Sequence, residues 1–462
     1  MEAFQIQHLY RRAGFGILPE TLKSLSAKSK KEVVDNLLNG SKKVSLLEVD
    51  ISELKVAFSS MMKAEKPDKE ARKNLRKLSR QKQIDLNEAW IERLTNPTAL
   101  LREKMTLFWA NHFVCEDNNI VFIQNFNNTL RKSALGNFGH FVKAVSKEAA
   151  MTKYLNTKQN KKQKPNENFA RELMELFTLG VGNYTEQDIK ESARAFTGYG
   201  HNLKGDFVFK ERQHDHGIKS FFGKTGAFSG DDIIDIILKK KQCAQYISEK
   251  IYAYFVNDKL DENHVNEMTQ VFYKDYNIET LMRYVFMSDW FYEEKNIGNK
   301  IKSPIEFLVG IKTLVPTQFK NPKQQIYLQR LLGQTLLDPP NVAGWKGGKN
   351  WIDSNTITLR LKLPSLLLNS AYISKNKTGT NDSKIEERKE FFKQNYGKRF
   401  NVESNWDYFN KHFKKVDITE LDDYILACNI SPHAKANLNS LAKVSKQEYC
   451  VQLMSLPEYQ MC

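Results

Sequence analysis

Two short stretches of the chain carry residue types and spacings that could do chemistry. Glu167, Arg171 and Glu175 stand at i, i+4 and i+8 within the run 166–180, so on a helix one guanidinium can be held between two carboxylates. That geometry serves a buried ion network or a substrate clamp equally well. In the second stretch, 213–219, His214, Asp215 and His216 bring two imidazoles and a carboxylate together, groups that ligate a divalent metal or move protons. If this loop folds over the 166–180 helix, Lys219 and His214 join the carboxylates around one pocket suited to acid-base hydrolysis. The plainer alternatives are a helix-surface ion network and a polar loop that fixes itself.

Other features resolve to structure. Gly223-Lys224-Thr225 ends like a phosphate-binding loop, but Ile218 stands where that motif needs its first glycine, so a glycine-bearing turn is expected. His112 lies on the stripe of Leu101, Met105 and Phe108, the position of a hydrogen-bonded core histidine. The five cysteines (Cys115, Cys243, Cys428, Cys450, Cys462) are odd in number and scattered, the pattern of free thiols rather than of a zinc site or disulfide framework. The cofactor is therefore unknown, a divalent metal at His214, Asp215 and His216 being the one suggested.

The elements that must position these residues are helices. Apolar residues recur at three and four along most of the chain, so the expected class is all-α, with a small β-hairpin or extended excursion at 201–230. Within 166–180, Phe169, Ala170, Leu173, Met174, Leu176 and Phe177 share one face and the charges the other, with Asn166 to cap the start and Gly180 to end it. Thr185 with Asp188, and Ser229 with Asp232, have capping-box spacing. The segment 66–94 is long, basic and weakly apolar, with Leu75, Leu78, Leu86 and Ala89 or Trp90 as its inner stripe, and should lie across the surface. Adjacent prolines at 339 and 340 make 337–345 an ordered loop. Polar stretches at 159–164 and 374–383 read as linkers. The second separates a main helical domain, 1–373, from a helical C-terminal segment, 384–462, that packs on it.

With 462 residues and 41% hydrophobic content the chain buries a real core. A net charge of +16 favours acidic partners, such as an anionic polymer or an acidic protein. No reader motif accompanies the charge, which argues against specific nucleic-acid recognition. No apolar run has the length of a membrane span and no export signal opens the chain, so a cytoplasmic location is expected of it as it stands.

Several runs taken together resemble the bacterial family called domain of unknown function 1800. They are 8–16 (with Arg11, Arg12, Gly14 and Gly16), 101–113, 166–180, 184–188, 193–198, His214-Asp215 with Lys219 and Gly223, and 301–307. Further ones fall at 332–334, 340–341, 344–345, 351–353 and 455–460, so the resemblance spans nearly the whole chain. It implies a large helical fold and no established activity or catalytic list. It also implies a neighbour, a co-encoded secreted protein of phosphatase- or sulfatase-like fold, and with it an envelope or extracellular task as the alternative location. Two functions follow. The first is a helper that binds that companion or an anionic polymer. The second is a hydrolase of an ester, phosphate or glycosidic substrate, with Glu167, Arg171, Glu175, His214, Asp215 and Lys219 around its site.

Overall fold

Helix starts are written locally in the side chains. Thr185 and Asp188 close a reciprocal capping box ahead of the helix Glu186–Ala195, and Ser229 and Asp232 do the same before Gly230–Leu238. In each, the hydroxyl accepts from an orphan amide of the first turn while the carboxylate accepts from the cap amide. The computed structural model describes residues 1–63, 69–368, 400–440 and 444–462. The expected 374–383 linker and the start of the C-terminal segment lie outside the described residues. Among the described residues the protein is mainly helical, with three two-stranded sheets, and no helix is long and apolar enough to cross a membrane.

One continuous apolar core runs from Ile6 in the first helix to Tyr459 near the other end of the chain. Its aromatic centre packs Trp109, Phe113, Phe138, Phe141 and Phe177 together, mostly edge-on or tilted. His112 belongs to it as expected: its Nε2 lies 3.0 Å from the Phe177 carbonyl, and burial pushes its pKa down to about 3.

The 166–180 run departs from a plain α-helix. An α-helical turn, Asn168–Glu172, passes directly into a π-helical turn, Leu173–Thr178. The Thr178 hydroxyl donates to the Leu173 carbonyl at 2.5 Å. Gly180, at φ +81°, ends the turn in the left-handed region that glycine tolerates.

Two sheets fall in or beside the expected excursion: Tyr199–His201 pairs with Phe207–Phe209, and Lys219–Phe221 with Lys224–Gly226. Gly223 turns the second hairpin at φ +73°, which is the role expected of the Gly-Lys-Thr sequence. The third sheet lies elsewhere, joining Thr317–Phe319 to Val402–Ser404. Strands of three residues are too short for an alternating pattern to register in sequence.

The stretch 159–164 is not a linker, contrary to its composition. Asn160 donates its amide to the Ala193 carbonyl at 2.7 Å and accepts from the Gly198 N–H at 3.1 Å. The Lys162 N–H reaches the Gln213 carbonyl at 2.9 Å. These bonds tie the end of Glu186–Ala195 to the loop that follows it.

The long basic segment is the helix Lys69–Thr95. Its second half is core, with Leu86, Trp90, Ile91 and Leu94 buried, and Asn87 exchanges side-chain hydrogen bonds with Gln329 at 2.6 and 3.1 Å. Its first half rides on the half-buried Leu75 and Leu78.

Candidate functional site

Arg171 faces Glu186 rather than Glu175. Its two terminal nitrogens donate to the two Glu186 oxygens, each at 2.9 Å, and Glu167 is a looser partner at 3.4 Å. Glu175 instead accepts from the Tyr184 hydroxyl at 2.5 Å. Glu175 lies in the π turn, where the backbone bonds skip one residue further than in an α-helix. The Arg171 side chain keeps 37% of its surface exposed, so this network lies at the surface, and pairing with Glu186 raises the guanidinium pKa further. Glu172, half-buried, has its carboxyl pushed up by burial and by the charge of Glu175.

The 213–219 loop is anchored on the far end of Glu186–Ala195. Arg194 donates to Asp215 through Nε at 2.8 Å and Nη2 at 3.3 Å, and through Nη1 to Glu191 at 2.9 Å. Glu191 accepts from the Ser220 N–H at 2.9 Å and Asp188 from the Phe222 N–H at 3.0 Å. The Asp215 N–H donates to the Thr197 hydroxyl at 2.8 Å, and His214 Nδ1 donates to the Thr197 carbonyl at 2.8 Å. Lys219, buried, donates to the carbonyls of Asp215 and Gly217 at 2.6 and 3.1 Å. The electrostatics follow from these contacts. The bond from Arg194 holds the Asp215 carboxyl below its ordinary range, and burial lowers both His214 and Lys219. His216 is exposed and reaches Glu211 at 3.1 Å.

The structure therefore joins Glu167 to Arg171, Lys219 to the Asp215 carbonyl, and His214 to Asp215 through Thr197, but not the two groups. Glu186 opens and Arg194 nearly closes one helix, which separates the two networks by roughly 12 Å along its axis at ~1.5 Å per residue. Among the described residues, no three or more His, Cys, Asp or Glu side chains are grouped to hold a metal: the Asp215 carboxylate is turned to Arg194 and the Gly217 N–H. Sequence alone gives no role to Glu191 or Arg194 and only a capping role to Asp188. The signal was present, since Asp-x-x-Glu-x-x-Arg on a capped helix places three charges along one edge.

A second candidate site lies on the helix Lys69–Thr95. Lys69, Arg72, Lys73, Arg76, Lys77 and Arg80 recur at three and four, and all are exposed. They form one cationic stripe roughly 16 Å long at ~1.5 Å per residue. Lys73 has a loose pair in Glu70 at 3.9 Å; among the described residues the other five have no carboxylate in ion-pair contact. Through Lys77 and Arg80 the stripe borders a groove of about 1210 Å³ of mixed charge, lined by Lys323 and Arg330 but also by Glu53, Glu116, Asp117 and Asp338. Ser79 and Gln83 donate to the carbonyls of Asn118 and Asp117 at 2.7 and 2.9 Å, fixing the helix to the groove wall. Leu337 stands at φ +69°, a conformation costly for a branched side chain. In the wall, burial and then Asp338 push the Glu116 carboxyl up.

No curated protein and no solved structure matches the chain. The model of the family described as Protein of unknown function (DUF1800) matches residues 8–461, and with nearly its whole length so accounted for, the chain belongs to that family.

Proposed function

We propose that the protein is a binding helper whose cationic stripe and adjoining groove dock an anionic polymer. The observation that carries this reading is the stripe itself: cations at helical spacing on one exposed face, two of them, Lys77 and Arg80, at the edge of a groove. Such a row presents positive charge at steps of a few ångströms, which a flexible polyanion can follow without a shape-matched pocket. The hydrolase alternative, with Glu167, Arg171, Glu175, His214, Asp215 and Lys219 around one site, has less behind it. Its members engage partners at opposite ends of one helix.

The test is fluorescence anisotropy with a labelled sulfated glycan or polyphosphate, at low and at physiological salt. Affinity should fall at least roughly tenfold between the two, because dispersed exposed charges are screened by ions. The combined substitution Arg72→Glu, Arg76→Glu and Arg80→Glu should abolish binding with an unchanged circular dichroism spectrum. Absence of binding, or binding that the triple variant leaves intact, would overturn the proposal. A salt-insensitive complex with the co-encoded phosphatase- or sulfatase-like protein would shift the helper reading from polymer to protein.

A further inference from the structure

The runs at 8–16, 101–113, 301–307 and 455–460 take no part in either site above, yet they meet in space. The first helix, Ala3–Arg12, ends in two arginines. Lys104 comes from the helix Leu100–His112, Lys302 and Glu306 flank the start of Pro304–Leu314, and Tyr459 lies on the turn Pro457–Gln460. Together they enclose a cavity of about 30 Å³, lined by Arg11, Gly14, Lys104, Lys302, Glu306 and Tyr459 among others. A space of that size admits one or two waters or the head of one small anion.

The charges around it do not balance. Lys104 pairs with Glu306 and also donates to the Gly14 carbonyl at 3.0 Å. Burial alone would push Glu306 up, but Lys104 holds it down at about 2; this one acidic side chain of the lining, and Cys462 beside it, offset only part of the positive charge of Arg12, Lys302 and Arg360. Two further cations line the cavity, the buried Lys302 and the half-buried Arg11, and two more, the buried Arg12 and Arg360, lie outside its lining, Arg360 bonded to the Lys302 carbonyl. Among the described residues none of the four has a carboxylate in ion-pair contact. They donate to neutral oxygens instead. Arg11 reaches the Tyr424 carbonyl at 2.9 Å, and Arg12 the Asn296 carbonyl at 2.8 Å and Asn299 at 2.6 Å. Lys302 reaches the Tyr459 carbonyl at 2.7 Å, and Arg360 the Lys302 carbonyl at 2.6 Å and Gln460 at 2.8 Å.

Carbonyl oxygens satisfy hydrogen bonds but do not neutralise charge, and burying unpaired cations is costly. The strain is visible in the titration of the groups: burial brings Lys302 down to about 7, and Arg11 and Arg360 to about 10. Donors predominate among the unsatisfied atoms of these runs, with one acceptor, Glu458 Oε2, beside them. Nε and Nη1 of Arg12, Nη1 of Arg360 and Nε2 of Gln460 are buried donors without acceptors. What complements surplus positive charge and surplus N–H groups is a group that is negative and carries several acceptor oxygens.

We propose that this cavity is a binding site for a small oxyanion of the phosphate or sulfate type, held by Arg11 and Lys302 with Arg12 and Arg360 behind them. The site is separate from the cationic stripe and needs no polymer.

The experiment uses the full chain and inorganic phosphate and sulfate as probes, with chloride at matched ionic strength as reference. Thermal melts should show a saturable rise in Tm with phosphate or sulfate that chloride does not reproduce. Calorimetric titration should give one site per chain. Lys302→Met replaces a buried cation with an apolar side chain of similar length, a change that buried ion clusters tolerate, and should weaken oxyanion binding at least tenfold. Arg76→Gln, on the stripe, should bind as wild type does. If Lys302→Met does not fold, Arg11→Gln supplies the same comparison. No saturable response in the wild-type chain, or an equal response in the cavity variants, would overturn the proposal. Oxyanion binding that the stripe variants abolish would place the site on the stripe and overturn the proposal.

Discussion

Replacing Arg194 with Met should release the 213–222 segment from the helix that carries it. Arg194 holds both Asp215 and Glu191 and also donates to the Ile218 carbonyl at 3.1 Å. The side chains of Arg194, Asp215 and Glu191 are 27%, 19% and 10% exposed. Removing the cation leaves two carboxylates facing each other in a half-dry setting. A fully buried pair broken in this way costs roughly 3–5 kcal/mol, and the partial exposure here scales that to about 2–3 kcal/mol. In a chain of this size the loss is best read locally. The amides of Asp215, Ser220 and Phe222 donate to Thr197, Glu191 and Asp188, so hydrogen exchange at these three should accelerate roughly 30- to 150-fold, at ~1.4 kcal/mol per factor of ten. A cycle with Asp215→Asn should give a coupling of roughly 1–2 kcal/mol. The pH dependence has a definite sign. Asp215 is depressed in the folded state by Arg194, so its contribution is complete above the ordinary Asp value of about 3.9 and disappears as pH falls through the depressed one. The wild-type advantage should therefore shrink below roughly pH 4. Unchanged exchange at these amides, or zero coupling to Asp215, would refute the anchoring role.

Arg171→Ala should lower stability by under about 1 kcal/mol in urea melts, because its side chain is over one-third exposed; a loss several times larger would mean a buried clamp. His112 is depressed to about 3 when folded, so its contribution is complete above the ordinary His value of roughly 6.5 and is lost as pH falls from there toward about 3. Acid titration of urea midpoints should show the loss, and His112→Gln should flatten it.

What was legible in the sequence was local. The capping boxes at Thr185 and Ser229 depend on residues three apart, and the core position of His112 depends on its own stripe; both forms of information survive folding unchanged. The partner of Arg171 was not legible, because Glu175 has the right helical spacing whereas Glu186, the actual partner, stands 15 residues on. Nor was the π turn, in which Phe177 packs into the aromatic core and Thr178 donates to the Leu173 carbonyl, since neither contact is a periodic signal. Arg194 and Asp215 are 21 residues apart in the chain, a separation that no helical or strand period encodes. Asn160 sits in a stretch whose polarity marks a linker, yet its amide reaches the Ala193 carbonyl. Polar composition reports solvent preference only on average, and one well-placed amide reverses it.

Net charge is the coarsest of these signals, and the structure resolves it into two kinds. The stripe from Lys69 to Arg80 stands in solvent, where interactions beyond a Debye length of about 8 Å at physiological salt are screened. Its contribution to binding must be additive, salt-sensitive and indifferent to the exact shape of the partner. Arg12, Lys302 and Arg360 lie inside the protein, where screening is weak and each unpaired charge costs free energy. Their attraction for an anion must be nearly independent of salt but selective for size and for acceptor geometry. Varying salt at fixed phosphate, and phosphate at fixed ionic strength, therefore separates the two sets of cations without any substitution. If both responses faded together with ionic strength, the buried cations would be answering as surface charges do, and their placement in the core would explain nothing about binding.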